Sequence, residues 1–208
     1  MLTETFNVFT DTGLTTGFSG VYDLIHQSDE SDNPQDFVLY LGSLGSVGLN
    51  SADSKIQAVS DPGVDDITIS VVYILPEFIV SHAYTLGECV EPISPNGYRY
   101  KVTTAGTSAS SSPSWPTSIG STVTSGTCTF TCVSAKHAVT EITLGLSSGD
   151  LDTNTPGNPL ALDNTILSGT SNKVAIYIRV ENNVNTVGNN TATPELALSI
   201  NNIFESEV

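Results

Sequence analysis

Apolar side chains recur at every second position along much of this chain, and that alternation restricts the fold more than any other feature. From Asp66 the chain reads Asp66-Ile67-Thr68-Ile69-Ser70-Val71-Val72-Tyr73-Ile74-Leu75. Ile67, Ile69, Val71 and Tyr73 share one face, and Thr68 and Ser70 share the other. A period of two marks a strand with one face buried. Val174, Ile176, Ile178 and Val180 repeat the pattern opposite Lys173, Tyr177 and Arg179, and Leu196, Leu198 and Ile200 repeat it again. Shorter candidates are Phe6–Phe9, Val21–Ile25, Phe37–Leu41, Lys55–Val59 and Val139–Leu144. Turn signals separate these runs at Thr12-Gly13, Asp32-Asn33-Pro34, Asp61-Pro62-Gly63, Ser148-Gly149-Asp150 and Pro156-Gly157-Asn158-Pro159. No stretch of about 12 residues, an ordinary helix length, keeps a clean helical period. The expected fold is all-β, a jelly-roll-like β-sandwich.

One window departs from this pattern. Between His82 and Lys136 lie the only Trp and three of the seven Tyr. Two acids (Glu88, Glu91) and three bases (Arg99, Lys101, Lys136) fall inside it, against 20 acids and three bases outside. A composition shift of this kind predicts a small module inserted into a host domain. The expected division is a discontinuous host of residues 1–81 and 137–208 and an inserted β-module of residues 82–136. Asn96-Gly97 between apolar runs is a hairpin signal. If the strands nearest the window, Val71–Leu75 and Val139–Leu144, pair in the host sheet, the module replaces a hairpin loop.

The net charge of -16 excludes some partners. So acidic a surface is repelled by DNA and by anionic lipid, so neither nucleic acid nor membrane is an expected partner. The longest apolar runs fall far short of the roughly 20 residues that span a bilayer. Met1-Leu2-Thr3-Glu4-Thr5 shows no basic n-region and no apolar h-region, so an unprocessed start is expected. All three cysteines, Cys89, Cys128 and Cys132, lie in the window. They read as buried thiols in the core, with a disulfide through Cys89, or a metal shared with His82 and His137, as the alternatives. Their spacing matches no standard zinc pattern. Three acidic clusters have calcium-type ligands: Asp29-Glu30-Ser31-Asp32 with Asp36, Asp61 with Asp65-Asp66, and Asp150-Leu151-Asp152-Thr153-Asn154. None follows the EF-hand spacing, and Asp and Asn in β-loops ordinarily form turns. No metal site and no cofactor is expected.

No catalytic constellation stands out. His26, His82 and His137 belong to no Ser/His/Asp or Cys/His motif, and the chain has no phosphate loop and no His-Glu-x-x-His. An enzyme is therefore not expected. The window's aromatics carry the remaining chemistry. Trp115, Tyr98, Tyr100 and Tyr84 have faces suited to stacking on sugar rings, and the same rings suit the core of a module too small for many apolar residues. Trp115, between Pro113 and Pro116, is the ring expected to be partly exposed.

Three segments of the window carry a resemblance: Asn96-Gly97-Tyr98-Arg99-Tyr100, Thr104-Ala105-Gly106-Thr107-Ser108 and Pro113-Ser114-Trp115-Pro116. The window resembles a small β-module repeated across tailed-bacteriophage virion proteins, and it is similar to carbohydrate-binding modules of the chitin-binding type. It departs from that pattern at Ala109, where Gly is usual, at Ser125-Gly126, where Asp-Gly is usual, and at Phe130, where a second Trp is usual. The flanking segments Ser60–Asp65 and Lys173–Val180 look like those of small phage structural proteins. The resemblance implies a non-enzymatic virion protein, assembled in the host cytoplasm and placed on the outer surface of the particle. A capsid decoration or cement protein that binds the major capsid protein as a homo-oligomer is the leading expectation. A tail, baseplate or neck component is the second. An adhesin that contacts host surface glycan through Trp115, Tyr98, Tyr100 and Tyr84 is the third.

Overall fold

The computed structural model describes residues 3, 5–21, 31–45, 54–184 and 194–208. The expected strand at Val21–Ile25 lies outside the described residues from residue 22 onward, as do His26, Asp29 and Glu30. Along the chain the strands are β1 (Asn7–Phe9), β2 (Gln35–Gly42), β3 (Ser54–Ala58), β4 (Thr68–Tyr73), β5 (Ala83–Tyr84), β6 (Cys89–Val90), β7 (Tyr98–Thr104) and β8 (Gly106–Thr107). They continue as β9 (Thr122–Ser125), β10 (Cys128–Ala135), β11 (Ile142–Gly145), β12 (Leu160–Ala161), β13 (Thr165–Leu167), β14 (Val174–Val180), β15 (Leu196–Ile200) and β16 (Ile203–Glu207). Helical structure among the described residues amounts to three single 3-10 turns. The fold is all-β, a sandwich of antiparallel sheets.

The chain forms two compact units. One comprises Met1–Val72, Val139–Asn182 and Leu198–Val208, and the other Tyr73–Ala138 and Asn183–Ala197. The expected window of residues 82–136 falls within the second unit.

The first unit holds a four-stranded sheet in the order β1-β2-β14-β11 and three-stranded sheets in the orders β12-β4-β15 and β13-β3-β16. Alternation decides which faces close the core. Leu39 pairs with Ile176 and Leu144 with Ile178, and all four are buried. In the smaller sheets Leu160 pairs with Ile69 and Ile166 with Ile56, again all buried. Each such side chain contributes on the order of 1.5–3 kcal/mol by leaving water. Phe6 and Leu14 are buried as well. Leu14 adopts a left-handed backbone (φ 55°). The Asp11 carboxylate holds that loop by accepting the amides of Gly13 and Thr15 at 2.8 and 3.1 Å. Burial works against the charge, yet hydrogen bonds from Thr16, Thr15 and Gly13 keep the Asp11 carboxyl below its usual range.

Two sequence expectations are corrected. The strands on either side of the window do not pair: β4 lies between β12 and β15, and β11 pairs with β14. The window therefore joins strands of different sheets and does not replace a hairpin loop. The strand expected over Val139–Leu144 begins only at Ile142, because Val139–Glu141 winds into a 3-10 turn. The Glu141 carbonyl of that turn accepts the Glu181 amide at 2.8 Å.

In the second unit β6-β7-β10-β9 form a sheet, and β5 and β8 pair separately. The odd/even pattern is strict along β10, where Cys128, Phe130, Cys132 and Ser134 are buried and the residues between them are half-buried.

Candidate functional site

The second unit is built around aromatic rings because its short strands supply few aliphatic side chains. Phe78, Tyr84, Val90, Tyr100, Val102, Cys128, Phe130 and Cys132 form its core, and Tyr98, Trp115 and Val123 pack against it half-buried. Phe78 stacks on Tyr84 with ring centroids 5.9 Å apart and meets Phe130 edge-on at 5.7 Å. Trp115 closes over this group, 4.5 Å from Tyr100, 5.2 Å from Phe78 and 5.4 Å from Phe130. Offset and edge-to-face contacts of this kind add about 0.5–1.5 kcal/mol per pair beyond the area they bury.

The motif residues do structural work that can be traced atom by atom. Asn96 Nδ2 donates to the Tyr100 hydroxyl at 2.7 Å, and that hydroxyl donates to the Pro116 carbonyl at 2.7 Å. This relay fixes the loop that carries Trp115, whose Nε1–H donates to Ser112 Oγ at 3.1 Å. Asn96 Oδ1 also accepts the Tyr98 amide at 3.1 Å, which closes the turn at Gly97. Gly106 and Gly126 sit where no side chain fits. A Cβ on Gly106 would lie 2.4 Å from Thr127 Oγ1, and one on Gly126 would lie 2.2 Å from the Thr107 carbonyl.

This geometry corrects half of the expected ring surface. Tyr84 and Tyr100 are buried, and their faces are taken by other rings, so neither offers a platform to a sugar. Burial is also what raises both phenols above their ordinary range. The Tyr84 hydroxyl accepts the Ile79 amide at 2.7 Å, a second sign of a core residue. Trp115 and Tyr98 keep part of their surface in solvent. Phe78, which lies before the expected window, belongs at the centre of this core.

The cysteines form no disulfide bond, so the disulfide alternative for Cys89 is set aside. All three are buried, and burial raises the Cys132 thiol. Among the described residues no group of three or more His, Cys, Asp or Glu is gathered as metal ligands would be. Two of the candidate acidic clusters serve the backbone and an ion pair instead. Asp150 accepts the Leu146 and Ser147 amides at 2.8 Å each. Asp36 and Asp152 clasp Arg179 at 2.8 and 2.7 Å. Its hydrogen bonds with Arg179 hold the Asp36 carboxyl below the usual carboxylate range.

A second feature of this unit was not foreseen. Arg99 pairs with Glu195, and both side chains are almost wholly buried. Its Nε also donates to Ser134 Oγ at 2.6 Å. Glu195 Oε2 accepts the His137 amide at 3.0 Å, and the Glu195 carbonyl accepts the Ile74 amide at 2.8 Å. Beside this pair, Lys136 pairs with Glu91 and lies 3.9 Å above the Tyr73 ring. Burial, with Glu195 and Glu91 nearby, raises the Tyr73 phenol far above its ordinary value. The unit contains Glu77, Glu88, Glu91 and Glu195 against Arg99, Lys101 and Lys136. With these two pairs formed, only Glu77, Glu88 and Lys101 remain as charges outside them. The sequence signal for this cluster is the pair of bases at Arg99 and Lys136 in a β-module with few acids. Their partner Glu195 is too distant in sequence to be assigned by spacing.

No family model, no curated protein and no solved structure matches this chain.

Proposed function

We propose that this chain is a non-catalytic structural protein of a tailed-phage virion, a decoration or cement protein that binds the major capsid protein and displays the aromatic-cored unit on the outer surface of the particle. The observation that carries the reading is the role of the three resembling segments. Asn96, Tyr100 and Pro116 form one hydrogen-bonded relay, Gly106 occupies a position no side chain fits, and Trp115 caps the core. The resemblance thus rests on residues that build the unit, which is what a shared module requires. The charge distribution supports the same reading. Unit 1 carries 18 acids and three bases, whereas unit 2 is close to neutral. An acidic host suits a basic docking surface, and a near-neutral unit can be displayed without repelling an anionic cell envelope.

The deciding measurement is copy number per particle, by quantitative mass spectrometry of purified virions. Hundreds of copies, in fixed ratio to the major capsid protein, are expected. About a dozen copies would replace this reading with a tail, baseplate or neck role, and absence from the particle would end it. A second reading, glycan attachment, is favoured by one observation, that Trp115 and Tyr98 pack half-buried against the same core and keep part of their surface in solvent. Trp115→Ala virions that stay intact but attach less well to cells would support it, and unchanged attachment would remove it.

A further inference from the structure

In the first unit one carboxylate gathers segments from both ends and the middle of the chain, and among the described residues no base is paired with it. Glu205, on β16, accepts the Thr3 hydroxyl at 2.7 Å and the Thr5 amide at 2.8 Å through Oε2, and the Thr5 hydroxyl through Oε1. The Ser43 hydroxyl, beyond the end of β2, donates to Thr5 Oγ1 at 2.8 Å. Ser54, at the start of β3, lies 3.3 Å from the same oxygen. Ser168, after β13, extends the network: its amide donates to the Ser54 carbonyl at 2.7 Å, and its hydroxyl accepts the Ser54 amide at 2.9 Å. Ser43, Ser54 and Ser168 are all buried. Donors alone therefore stabilise the Glu205 charge, and most of them come from the first few residues of the chain.

A carboxylate in such a cage is an acceptor at both oxygens. A proton removes the charge these bonds serve, and a Thr hydroxyl can accept the new O–H only by giving up its own donation to the carboxylate, so the cage loses charge-assisted bonds. We propose that Glu205 is an acid-sensitive latch that holds Thr3 and Thr5 against the last strand and releases them when protonated. Phe6, which is buried, and β1, which pairs with β2, stay in place when Thr3 and Thr5 let go.

On the paired strands the nearest titratable groups are Glu207, opposite Ser54, and Lys55, opposite Ser206. Glu4 and Asp53 are adjacent in sequence to cage residues and lie outside the described residues. Hydrogen bonds from Thr5, Ser54 and Thr3 outweigh burial and leave the Glu205 carboxyl below its ordinary 4.5. The sign follows from linkage. A depressed carboxylate stabilises the fold above the unfolded value and loses that contribution as pH falls through the folded one. The latch therefore holds at neutral and mildly acid pH and opens only below the ordinary carboxylate range.

The test is amide hydrogen exchange on the full chain, with protection factors for Thr5 and Phe6 followed from neutral pH to about pH 1, a span that runs well below the ordinary carboxylate range. In the wild type the Thr5 factor should fall about tenfold, the equivalent of one hydrogen bond to a charged group, while Ile176 on β14 stays protected. Glu205→Gln should show the low Thr5 factor at every pH. Thr5 protection that survives acid, or that disappears together with Ile176, would overturn the latch. If Glu205→Gln does not fold, Thr5→Val removes one donor and should flatten the pH dependence. A Thr5→Val profile identical to wild type would also overturn it.

Discussion

Tyr100 shows how a residue that reads as a binding surface becomes a structural one. Its ring is enclosed, and its hydroxyl links Asn96 to the Pro116 carbonyl. Tyr100→Phe leaves both partners without it and should cost about 1–3 kcal/mol of stability, measured by chemical denaturation with the emission of the single Trp115 as the probe. The Arg99–Glu195 pair makes a sharper case. Removing one partner of a buried pair leaves a charge uncompensated, so Glu195→Leu should cost about 3–5 kcal/mol. Arg99→Met combined with Glu195→Leu should recover much of that loss, because an apolar pair also avoids the desolvation penalty. A double mutant no more stable than the single one would show that the pair is not the source of the loss. The sequence presented Arg99 as one motif residue among five, and nothing near it indicates a partner almost a hundred residues away.

At the scale of elements, the alternating strands and the short β1 were legible, and the short β12 and β13 were not. β2, β4 and β14 have enough residues for a period of two to stand out, and the structure buries the expected faces at Leu39, Ile69 and Ile176. β12 and β13 have two and three residues, too few to show any period. β16 contains two glutamates, so its sequence suggests solvent; the cage of donors around Glu205 makes that position tolerable in a half-buried strand. The junction of β9 and β10 gives the clearest test of an element. Gly126 has φ 61°, and a Cβ there would lie 2.2 Å from the Thr107 carbonyl. Gly126→Ala should cost more than about 2 kcal/mol or prevent folding of this unit, read from loss of Trp115 fluorescence shift. A tolerated Gly126→Ala would mean the Thr107 backbone can retreat.

For the whole molecule, the two units should respond to opposite ends of the pH scale. In the first unit, hydrogen bonds hold Asp11, Asp36, Asp150 and Glu205 below their ordinary carboxyl values. Their stabilisation is present above the unfolded carboxyl range and is lost as pH falls through the folded values. In the second unit, burial raises Tyr73, Tyr84 and Tyr100 above the ordinary phenol value of 10.0. Their contribution is present below that value and is lost as pH rises through the folded ones. Thermal melts across pH should therefore show acid loss in far-ultraviolet circular dichroism that Trp115 emission does not lead. Above pH 10.0, Trp115 emission should change first. Simultaneous loss of both signals at both extremes would mean the units unfold as one.

The sequence by itself determined the all-β class, because side-chain alternation is a local property of the chain and survives any tertiary arrangement. It also marked a compositionally distinct segment and named most of the aromatics of its core, but not Phe78, which lies before that segment. Tertiary structure alone decided which sheet each strand joins, because β4 and β11 alternate alike and nothing in their residues selects β12 and β15 for one and β14 for the other. It likewise decided which rings are enclosed and which charges are paired. Burial and ion pairing depend on atoms brought together from distant parts of the chain, as Arg99 and Glu195 or Thr5 and Glu205 are, and spacing carries no record of such contacts.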